Sequence, residues 1–449
     1  MLGAISPLDG RYAQAVKELS PIFSEAGLMR YRVMVEIEYL IALGQEAGVP
    51  EVAPFSVTQI KKLRQLYLNF NQTHAKKVKQ IEKRTNHDVK AIEYYLKENL
   101  NRAEFKSGAT FVHFGLTSED VNNLAYSKML QDGVVEYLKS VKKVNSHIKS
   151  LANSFKNISL LSLTHGQPAS PTTVGKELAV FVLRLNDAVA NIESIKLSGK
   201  FAGATGNWNA HMAAYPKVDW LKFSQKFVES LGLKFNPLTT QIEPHDNAAR
   251  MYQAISLANT ILRDLDQDIW FYISRGIFKL KKKTSEVGSS TMPHKVNPID
   301  FENSEGNAAL ANSILLGMAV KLPVSRLQRD LSDSTTLRNQ GIGVGYSLLA
   351  CKNTLKGLHK LDIDRRACKE ELENHYEVLG EVVQTVMKKY GHIDAYEQIK
   401  KKTRGRQLTK ALYLALVKSL DIPKAEKQRL LKLTPANYIG LAAKLVDKL

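Results

Sequence analysis

The chain has 449 residues, of which 44% are hydrophobic and 24% charged, a composition that excludes a disordered chain, a collagen-like chain and a coiled-coil rod. Its length predicts about three domains. It carries 63 Lys and Arg residues against 44 Asp and Glu, and this net charge of +19 favours an anionic partner: nucleic acid, acidic lipid, or a substrate bearing phosphate and carboxylate groups.

The N-terminal segment, Met1-Leu-Gly-Ala-Ile-Ser-Pro-Leu-Asp9, lacks the basic stretch and apolar run of a signal peptide. The longest uncharged, apolar-leaning run, residues 306–320, is too short and too polar to cross a bilayer. Two cysteines, Cys351 and Cys368, are too few for a disulfide framework or a cysteine-rich zinc site. We therefore expect a cytoplasmic protein with no membrane partner.

Helical periodicity is strongest in the middle of the chain, after shorter helices that end near residue 100. Beyond Thr117-Ser118-Glu119-Asp120, apolar residues recur every three or four positions up to Phe155, which predicts one very long helix capped by Thr117 or Ser118. A second long helix is predicted to open at Ser170-Pro171. Three more are predicted from near residue 246 to 277, at 301–321, and within 336–360.

Strand-like alternation is weak and brief, so we predict an all-α protein built on a central bundle of very long helices. The predicted domains are a helical N-terminal domain at 1–115, the long-helix bundle at 116–364 and a helical C-terminal domain at 365–449. The charges of the last domain are spread over many helix turns, which is typical of a solvated surface. Because no compact nucleic-acid-binding signature is present, we expect no nucleic-acid partner.

Two segments in the bundle region depart from the helical pattern. Residues 164–170 place His165 beside Gly166 on a turn between two long helices, where an imidazole can meet a ligand and titrate near neutrality, although a structural turn is the commoner use. Residues 283–298 form a loop with five hydroxyls, two lysines and an amide. That set of groups fits a mobile lid that closes on an anion, although a merely polar loop is the alternative.

Two further segments carry polar groups at close spacing. Residues 85–90 bring together Asp, His and Lys, which can bind a polar substrate or simply cap a helix. Residues 326–338 combine arginines with Ser and Thr, which suits phosphate binding, although ion pairs with Asp330 and Asp333 explain them equally well. We expect no metal, because no H-E-x-x-H-like spacing occurs, and the chain has no nucleotide-binding glycine motif or nucleophile elbow.

The loop segment Gly288-Ser-Ser-Thr-Met-Pro-His-Lys-Val-Asn297 resembles the G-S-S-x-M-P-x-K-x-N signature of the fumarase/aspartase superfamily. Within that superfamily, four other segments and one loop residue together resemble the adenylosuccinate lyase family, in its long bacterial branch. The resemblance covers essentially the whole chain. These parts are residues 6–12, 85–90, 117–120 and 164–170, and His294.

The resemblance implies a homotetramer of chains with three helical domains, whose central domains pack into a twenty-helix core. It implies a lyase of purine nucleotide biosynthesis that cleaves adenylosuccinate to AMP and fumarate, and SAICAR to AICAR and fumarate. It implies no metal and no organic cofactor. It also implies active sites shared between subunits, with residues 117–118, His165 and Ser289 contributed by three different chains.

The resemblance further assigns roles to individual residues. Ser289 is the base that removes a proton from carbon, His165 is the acid that protonates the leaving nitrogen, and His87 assists on the purine or phosphate side. The succinyl carboxylates are assigned to Thr117, Ser118, Gln241, Lys295 and Asn297. The 5′-phosphate and ribose are assigned to Arg11, Tyr12, Arg329, Ser334 and Arg338. Further substrate contacts are expected from Asn86, Asp88, Val296, Asn303, Thr335, Thr336 and Leu337.

Three other interpretations remain open on the sequence. Another lyase of the superfamily, such as argininosuccinate lyase, would need no phosphate site, and Arg11, Arg329 and Arg338 argue against it. An inactive protein on the same scaffold has no need of Ser289, Lys295, Asn297 and His165 together. A basic nucleic-acid binder rests on the net charge alone.

Overall fold

The computed structural model describes residues 2–101, 103–281, 292, 295–403 and 408–449. Most of the loop at 283–298 therefore lies outside the described residues, and so do Ser289 and His294. Among the described residues, no helix is both long enough and apolar enough to span a membrane.

Helices make up most of the described chain, which confirms the all-α prediction. Single 3₁₀ turns occur at Lys17–Leu19, Ala103–Phe105, Tyr376–Leu379 and Pro435–Asn437. The α-helices are α1 (Ser20–Phe23), α2 (Glu25–Leu43), α3 (Val57–Leu68), α4 (Gln72–Thr85), α5 (Asp88–Leu100), α6 (Lys106–Ala109), α7 (Ser118–Phe155), α8 (Val174–Ser194), α9 (Asn209–Ala214), α10 (Trp220–Ser230), α11 (Asp246–Ser274), α12 (Ile299–Lys321), α13 (Ser332–Leu337), α14 (Gln340–Lys360), α15 (Arg365–Glu373), α16 (Gly380–Lys389), α17 (Ala395–Thr403), α18 (Lys410–Ser419), α19 (Lys424–Leu431) and α20 (Ala442–Val446).

The strands are short and pair two by two. β1 with β2 and β5 with β6 are antiparallel, whereas β3 with β4 is parallel. Pairs this small brace the ends of helices and do not form a layer of their own. The strands are β1 (Ser159–Thr164), β2 (Gln167–Thr173), β3 (Ser198–Gly199), β4 (Lys234–Phe235), β5 (Phe278–Leu280) and β6 (Leu361–Ile363).

The prediction that the second long helix opens at Ser170-Pro171 is wrong. Both residues lie in β2, and α8 begins only at Val174. The register of the β1–β2 pair shifts between Leu160 and Ser162, and Pro171 lies opposite that shift. Proline has no N–H to donate, and an irregular point of a strand ladder tolerates this loss. Pairing with β1 therefore determines the conformation of Ser170-Pro171, although the dipeptide alone favours a helix start.

The other long helices follow the predicted periodicity closely. α7 contains 38 residues, which corresponds to a length of about 57 Å. Its residues Val121, Leu124, Ile148 and Ala152 are fully buried, as the three-and-four spacing requires. Burial of this apolar face, more than intrinsic helix propensity, stabilises a helix of such length.

The chain forms two compact units, each assembled from separate stretches. Unit 1 comprises Met1–Ser140, Ala188–Thr260 and Gly306–Cys351, and unit 2 comprises Val141–Asp187, Ile261–Glu305 and Lys352–Leu449. The division of the chain at residues 115 and 364 stays a prediction.

Each unit has its own apolar core. In unit 1, the ring of Tyr39 packs edge-on against Phe201 and Phe223, at centroid distances of 4.9 and 6.0 Å. In unit 2, a buried cluster around Leu379, Val383 and Tyr413 joins the helices that follow α14.

Candidate active site

The junction of α4 and α5 presents the polar residues of segment 85–90. Asn86 ends α4 in a left-handed conformation, with φ at 51°, which asparagine tolerates better than most residues. His87 caps α5, because its Nδ1 accepts a hydrogen bond from the Lys90 N–H at 3.1 Å. Helix capping, one of the two sequence interpretations, is thus real for His87. It uses one ring nitrogen of a side chain that is 52% exposed.

Asp88 links this junction to two arginines that are distant in sequence, Arg32 and Arg338. Its Oδ2 lies 2.8 Å from Arg32 Nη2 and 3.4 Å from Arg338 Nη2. Burial opposes ionisation, but Arg32, then the Val89 N–H and then Arg338 outweigh it and lower the pKa of Asp88. The carboxylate is therefore charged near neutral pH and anchors Arg338, a predicted phosphate ligand, in unit 1.

The N-terminus of α7 carries Thr117 and Ser118. The Thr117 N–H donates to Asp120 Oδ2 at 2.9 Å, and the Asp120 N–H donates to the Thr117 carbonyl at 3.0 Å. This reciprocal pair closes the first turn of the helix. A helix N-terminus attracts anions through its N–H groups and its dipole, so this turn is suited to a carboxylate.

Behind that turn, Arg329 joins two buried carboxylates. Its Nη1 lies 2.8 Å from Glu119 Oε2 and its Nη2 lies 3.4 Å from Asp333 Oδ1. His245 Nε2 lies 3.8 Å from Asp333 Oδ2. Burial raises the pKa of Glu119, with Arg329 opposing the shift. Burial also works against ionisation of Asp333, but His245 and Arg329 prevail and lower its pKa.

Glu119, His245 and Asp333 offer ligand atoms within 4.8 Å of one another, a spacing that a metal ion can use. Arg329 already pairs with both carboxylates and supplies the positive charge that an ion would bring. Arg329 therefore forms ion pairs, as the alternative interpretation of its segment predicted. The pair with Asp333 was predicted, whereas the pair with Glu119 was not. Asp330 instead faces Arg326, at 3.8 Å.

Gln241 approaches the same region of unit 1. Its backbone N–H donates to the Gln328 carbonyl at 3.2 Å, and its Nε2 donates to the Ala204 carbonyl at 2.9 Å. The acceptor of the first bond, Gln328, is the chain neighbour of Arg329, so this bond brings Gln241 close to Arg329. Gln241, Arg329 and the start of α7 are thus parts of one connected cluster.

The remaining predicted residues of unit 1 differ in exposure: Arg11 and Thr335 are exposed, whereas Tyr12, Ser334 and Thr336 are half-buried. The Arg11 guanidinium lies 6.0 Å from the centroid of the Tyr12 ring. Leu337 is 3% exposed, so its side chain belongs to the core and only its backbone can meet a ligand. Ser334, Thr335, Thr336 and Leu337 all lie on the short helix α13.

Unit 2 carries the predicted acid. His165 and Gly166 form the two-residue turn between β1 and β2, with φ values of 53° and 71°. Positive φ at both positions is the geometry of a tight hairpin turn. The hairpin thus presents the His165 side chain at its exposed tip.

The other predicted residues of unit 2 flank the start of α12. Lys295 and Val296 are exposed and Asn297 is half-buried just before the helix, and Asn303 is exposed in its second turn. Ser289, the predicted base, is among the residues outside the described ranges.

Sequence reasoning missed Glu119, Asp120, Lys200 and His245. All four are buried charged or titratable groups. The acidic pair after Thr117-Ser118 follows a helix start that capping alone reveals, and such a local signal does not identify partners far along the chain.

Comparison with solved structures shows the class of fold. A fumarate lyase from Mesorhizobium sp. BNC1 superposes with a TM-score of 0.75 at 19% identity, covering 97% of each chain. A 3-carboxy-cis,cis-muconate lactonizing enzyme from Pseudomonas putida superposes with a TM-score of 0.76 at 19% identity, covering 99% of this chain and 98% of that one. The protein therefore has a lyase fold.

Comparison with sequences narrows the class to a family. Residues 10–311 match the lyase family, and residues 325–439 match the adenylosuccinate lyase C-terminal family. The adenylosuccinate lyase of Haemophilus influenzae is 50% identical, and that of Escherichia coli strain K12 is 48% identical; each comparison covers 100% of this chain and 99% of the relative. The chain belongs to the adenylosuccinate lyase family and is an enzyme of the lyase class.

Proposed function

We propose that this protein cleaves adenylosuccinate to AMP and fumarate, and SAICAR to AICAR and fumarate. One observation carries the proposal: the identity of about half of all positions to relatives named adenylosuccinate lyase extends over the whole chain. The electrostatics of the site residues described above fit such a substrate, because carboxylates and a phosphate are anions.

The reaction is the β-elimination of an amine from a succinyl group. A proton leaves a carbon next to a carboxylate, and this places a second negative charge on that carboxylate. Preorganised donors and a cation are needed to stabilise it. The start of α7 with Thr117 and Ser118, the amide of Gln241, and Lys295 are the groups that supply them in this proposal.

Ser289 removes the proton and His165 protonates the leaving nitrogen. A serine hydroxyl is a weak base unless it is ionised, so the alkoxide must be stabilised by Lys295 and by backbone N–H groups of the loop. The exposed position of His165 at the hairpin tip supports its role, because a general acid must reach the substrate.

The 5′-phosphate and ribose bind at Arg11, Tyr12, Ser334, Arg329 and Arg338. Each guanidinium offers five N–H donors, so Arg329 and Arg338 retain donors beyond those that hold their carboxylates. His87 assists through the ring nitrogen that does not cap α5.

The protein acts as a homotetramer with shared sites. Exposed apolar side chains recur on four long helices and support assembly, because contiguous apolar surface is what protein–protein interfaces cover. They are Val135 on α7, Val180 and Leu183 on α8, Leu257, Trp270 and Phe271 on α11, and Leu310, Leu316 and Val320 on α12.

An ultraviolet assay with adenylosuccinate tests the proposal by following loss of the substituted purine and release of fumarate. SAICAR is assayed in parallel, and argininosuccinate serves as the substrate of the competing lyase. His165→Ala is expected to reduce kcat about 10²–10⁴-fold, as loss of a general acid does. His392→Ala, which removes an imidazole bonded to the Asp421 carbonyl in unit 2, is the control and should retain full activity. Turnover of argininosuccinate without turnover of adenylosuccinate would overturn the proposal.

A further inference from the structure

We propose that the buried ion pair between Asp120 and Lys200 positions the residues that bind the succinyl carboxylates. This inference rests on the proposed function, because it assumes that Thr117, Ser118 and Gln241 hold those carboxylates. Asp120 and Lys200 are positioning residues: they act through these groups and do not touch the substrate.

The pair lies entirely inside unit 1. Both side chains are 0% exposed, and Lys200 Nζ lies 2.7 Å from Asp120 Oδ1. The same ammonium group donates to the Gly203 carbonyl at 2.5 Å. The main chain of Lys200 is fixed as well, because its N–H donates to Asn123 Oδ1 at 2.8 Å and its carbonyl accepts from Asn123 Nδ2 at 2.9 Å.

Asp120 ties two separate chain segments together. On one side it accepts from the Thr117 N–H at 2.9 Å, which fixes the first turn of α7. On the other side it accepts from the Ala202 N–H at 3.0 Å and from the Gly203 N–H at 3.1 and 3.2 Å. One carboxylate therefore fixes both the start of α7 and the turn at 202–203.

That turn continues directly to Gln241. The Ala204 carbonyl accepts the hydrogen bond from Gln241 Nε2 at 2.9 Å. Gly203 has a φ of 77°, a conformation that glycine adopts without strain, so the turn keeps its shape only with glycine at this position. The contacts thus run from Thr117 through Asp120 and the turn to Gln241.

Stability alone is a poor reason to retain such a pair. Taking two charges out of water is costly, and well-packed apolar side chains of similar volume are often as stabilising. A charged pair with a fixed set of donors and acceptors instead defines one geometry for everything bonded to it. Here the bonded groups are the two halves of the proposed carboxylate site.

The test compares the affinities for the two products. Lys200→Met removes the ammonium group but leaves Asp120 with its three N–H donors, so the variant is expected to fold. Its dissociation constant for fumarate, measured by calorimetry, should rise about 10- to 100-fold, in the range that misplacement by about 1 Å costs. Its dissociation constant for AMP should change less than about twofold. Thr117→Ala, which alters a carboxylate-binding residue directly, should show the same selectivity.

A matched variant separates positioning from general destabilisation. Tyr413→Leu removes a fully buried hydroxyl that donates to the Leu430 carbonyl at 2.8 Å in unit 2, and should lower the melting temperature without changing fumarate affinity. If Lys200→Met does not fold, the double variant Asp120→Asn, Lys200→Met removes both charges and is measured in the same way.

Unchanged fumarate affinity in a folded variant, or an equal loss for fumarate and AMP, would refute the positioning role. Failure of the proposed function has a different signature, because the wild-type protein itself would then neither turn over adenylosuccinate nor bind fumarate.

Discussion

Arg329 and Arg338 both pair with acidic side chains, but at different depths. Arg329 is 18% exposed and faces two carboxylates that are 3% and 4% exposed. Arg338 is 49% exposed and faces Asp88 at 3.4 Å. Removing Arg329 leaves buried Glu119 without its cation and leaves Asp333 with His245 alone, at 3.8 Å. Removing Arg338 leaves an acid that Arg32 still holds.

Arg338→Ala and Arg329→Ala are both expected to weaken binding of 5′-phosphorylated substrates far more than binding of the dephosphorylated nucleoside analogue. A charge-assisted contact contributes roughly 1.5–3 kcal/mol. Only Arg329→Ala should also lower the free energy of unfolding, by about 3–5 kcal/mol, because it breaks a buried pair. Inhibition constants and denaturant titrations measure the two effects. Arg326→Ala, which removes an 81% exposed arginine, is the control. If affinity fell equally for the phosphorylated and the dephosphorylated ligand, these arginines would not bind the phosphate and would only stabilise the structure.

His113 provides a prediction on pH. Its Nδ1 lies 2.5 Å from Glu36 Oε1, and its Nε2 lies 3.8 Å from Glu93 Oε1. Burial alone would lower the pKa of His113, but Glu36, and then Glu93 and Asp120, outweigh it and raise the pKa. A raised histidine pKa stabilises the fold fully below the unfolded value of about 6.5, and this contribution is lost as pH rises through the folded value.

The stability difference between wild type and His113→Gln should therefore be largest below about pH 6.5 and should shrink as the pH rises above it. Urea titrations across this range measure the difference. In a Glu36→Gln background, the same histidine substitution should show little of this pH dependence. A difference that grows with pH would contradict the assignment of a charged His113.

At the residue scale, the sequence predicts which polar groups cluster along the chain but not which groups meet across it. Thr117 to Asp120 can be recognised as the start of a helix, because capping is local. The pairing of Glu119 with Arg329 and of Asp120 with Lys200 depends on tertiary packing, which no local pattern encodes. For the same reason, the burial of Leu337 inside a polar segment was not foreseen.

At the scale of elements, the long helices were predictable because their apolar period repeats over many turns. α11, α12 and α14 lie where the pattern places them, within a few residues. The hairpin of β1 and β2 was missed because neither strand alternates apolar with polar residues, and β2 contains two prolines. Ser170-Pro171 looks like a helix start, but pairing with β1 decides the conformation.

Gly175, the second residue of α8, provides a prediction on helix packing. A Cβ at this position would lie 2.3 Å from the Ala152 carbonyl oxygen and 2.5 Å from Lys156 Cα, and backbone atoms cannot move aside as a flexible side chain can. Gly175→Ala should therefore lower the free energy of unfolding by about 1–3 kcal/mol, as overpacking does.

Denaturant unfolding tests this expectation against Ser154→Ala, a change at an exposed position of α7. That control should stay within about 0.5 kcal/mol of the wild type. A Gly175→Ala protein as stable as the wild type would show that α7 and α8 can separate at no cost.

At the scale of the whole molecule, the predicted site residues are divided between the two units. The anion-binding candidates Thr117, Gln241, Arg329 and Arg338 belong to unit 1, whereas His165 and Lys295 belong to unit 2. A single sequence cannot indicate which chain of an assembly completes a site, because periodicity and motifs are properties of one chain.

Subunit mixing tests the proposed sharing of active sites. Ser289→Ala chains and His165→Ala chains are each expected to be inactive, because each lacks one of the two proton-transfer groups. The two proteins are mixed under conditions that allow subunits to exchange, and native mass spectrometry confirms mixed tetramers. Unmixed samples treated in the same way are the control.

If each site takes its serine and its histidine from different chains, some sites in mixed tetramers receive an intact copy of both. Random mixing gives each group an intact copy with probability about ½, so roughly a quarter of the wild-type activity should return in a symmetric assembly of equivalent sites. If both groups came from one chain, every site would still lack one of them. Mixed tetramers that remain inactive would therefore show that each chain builds its own site, and recovery near a quarter requires that the chains complete one another.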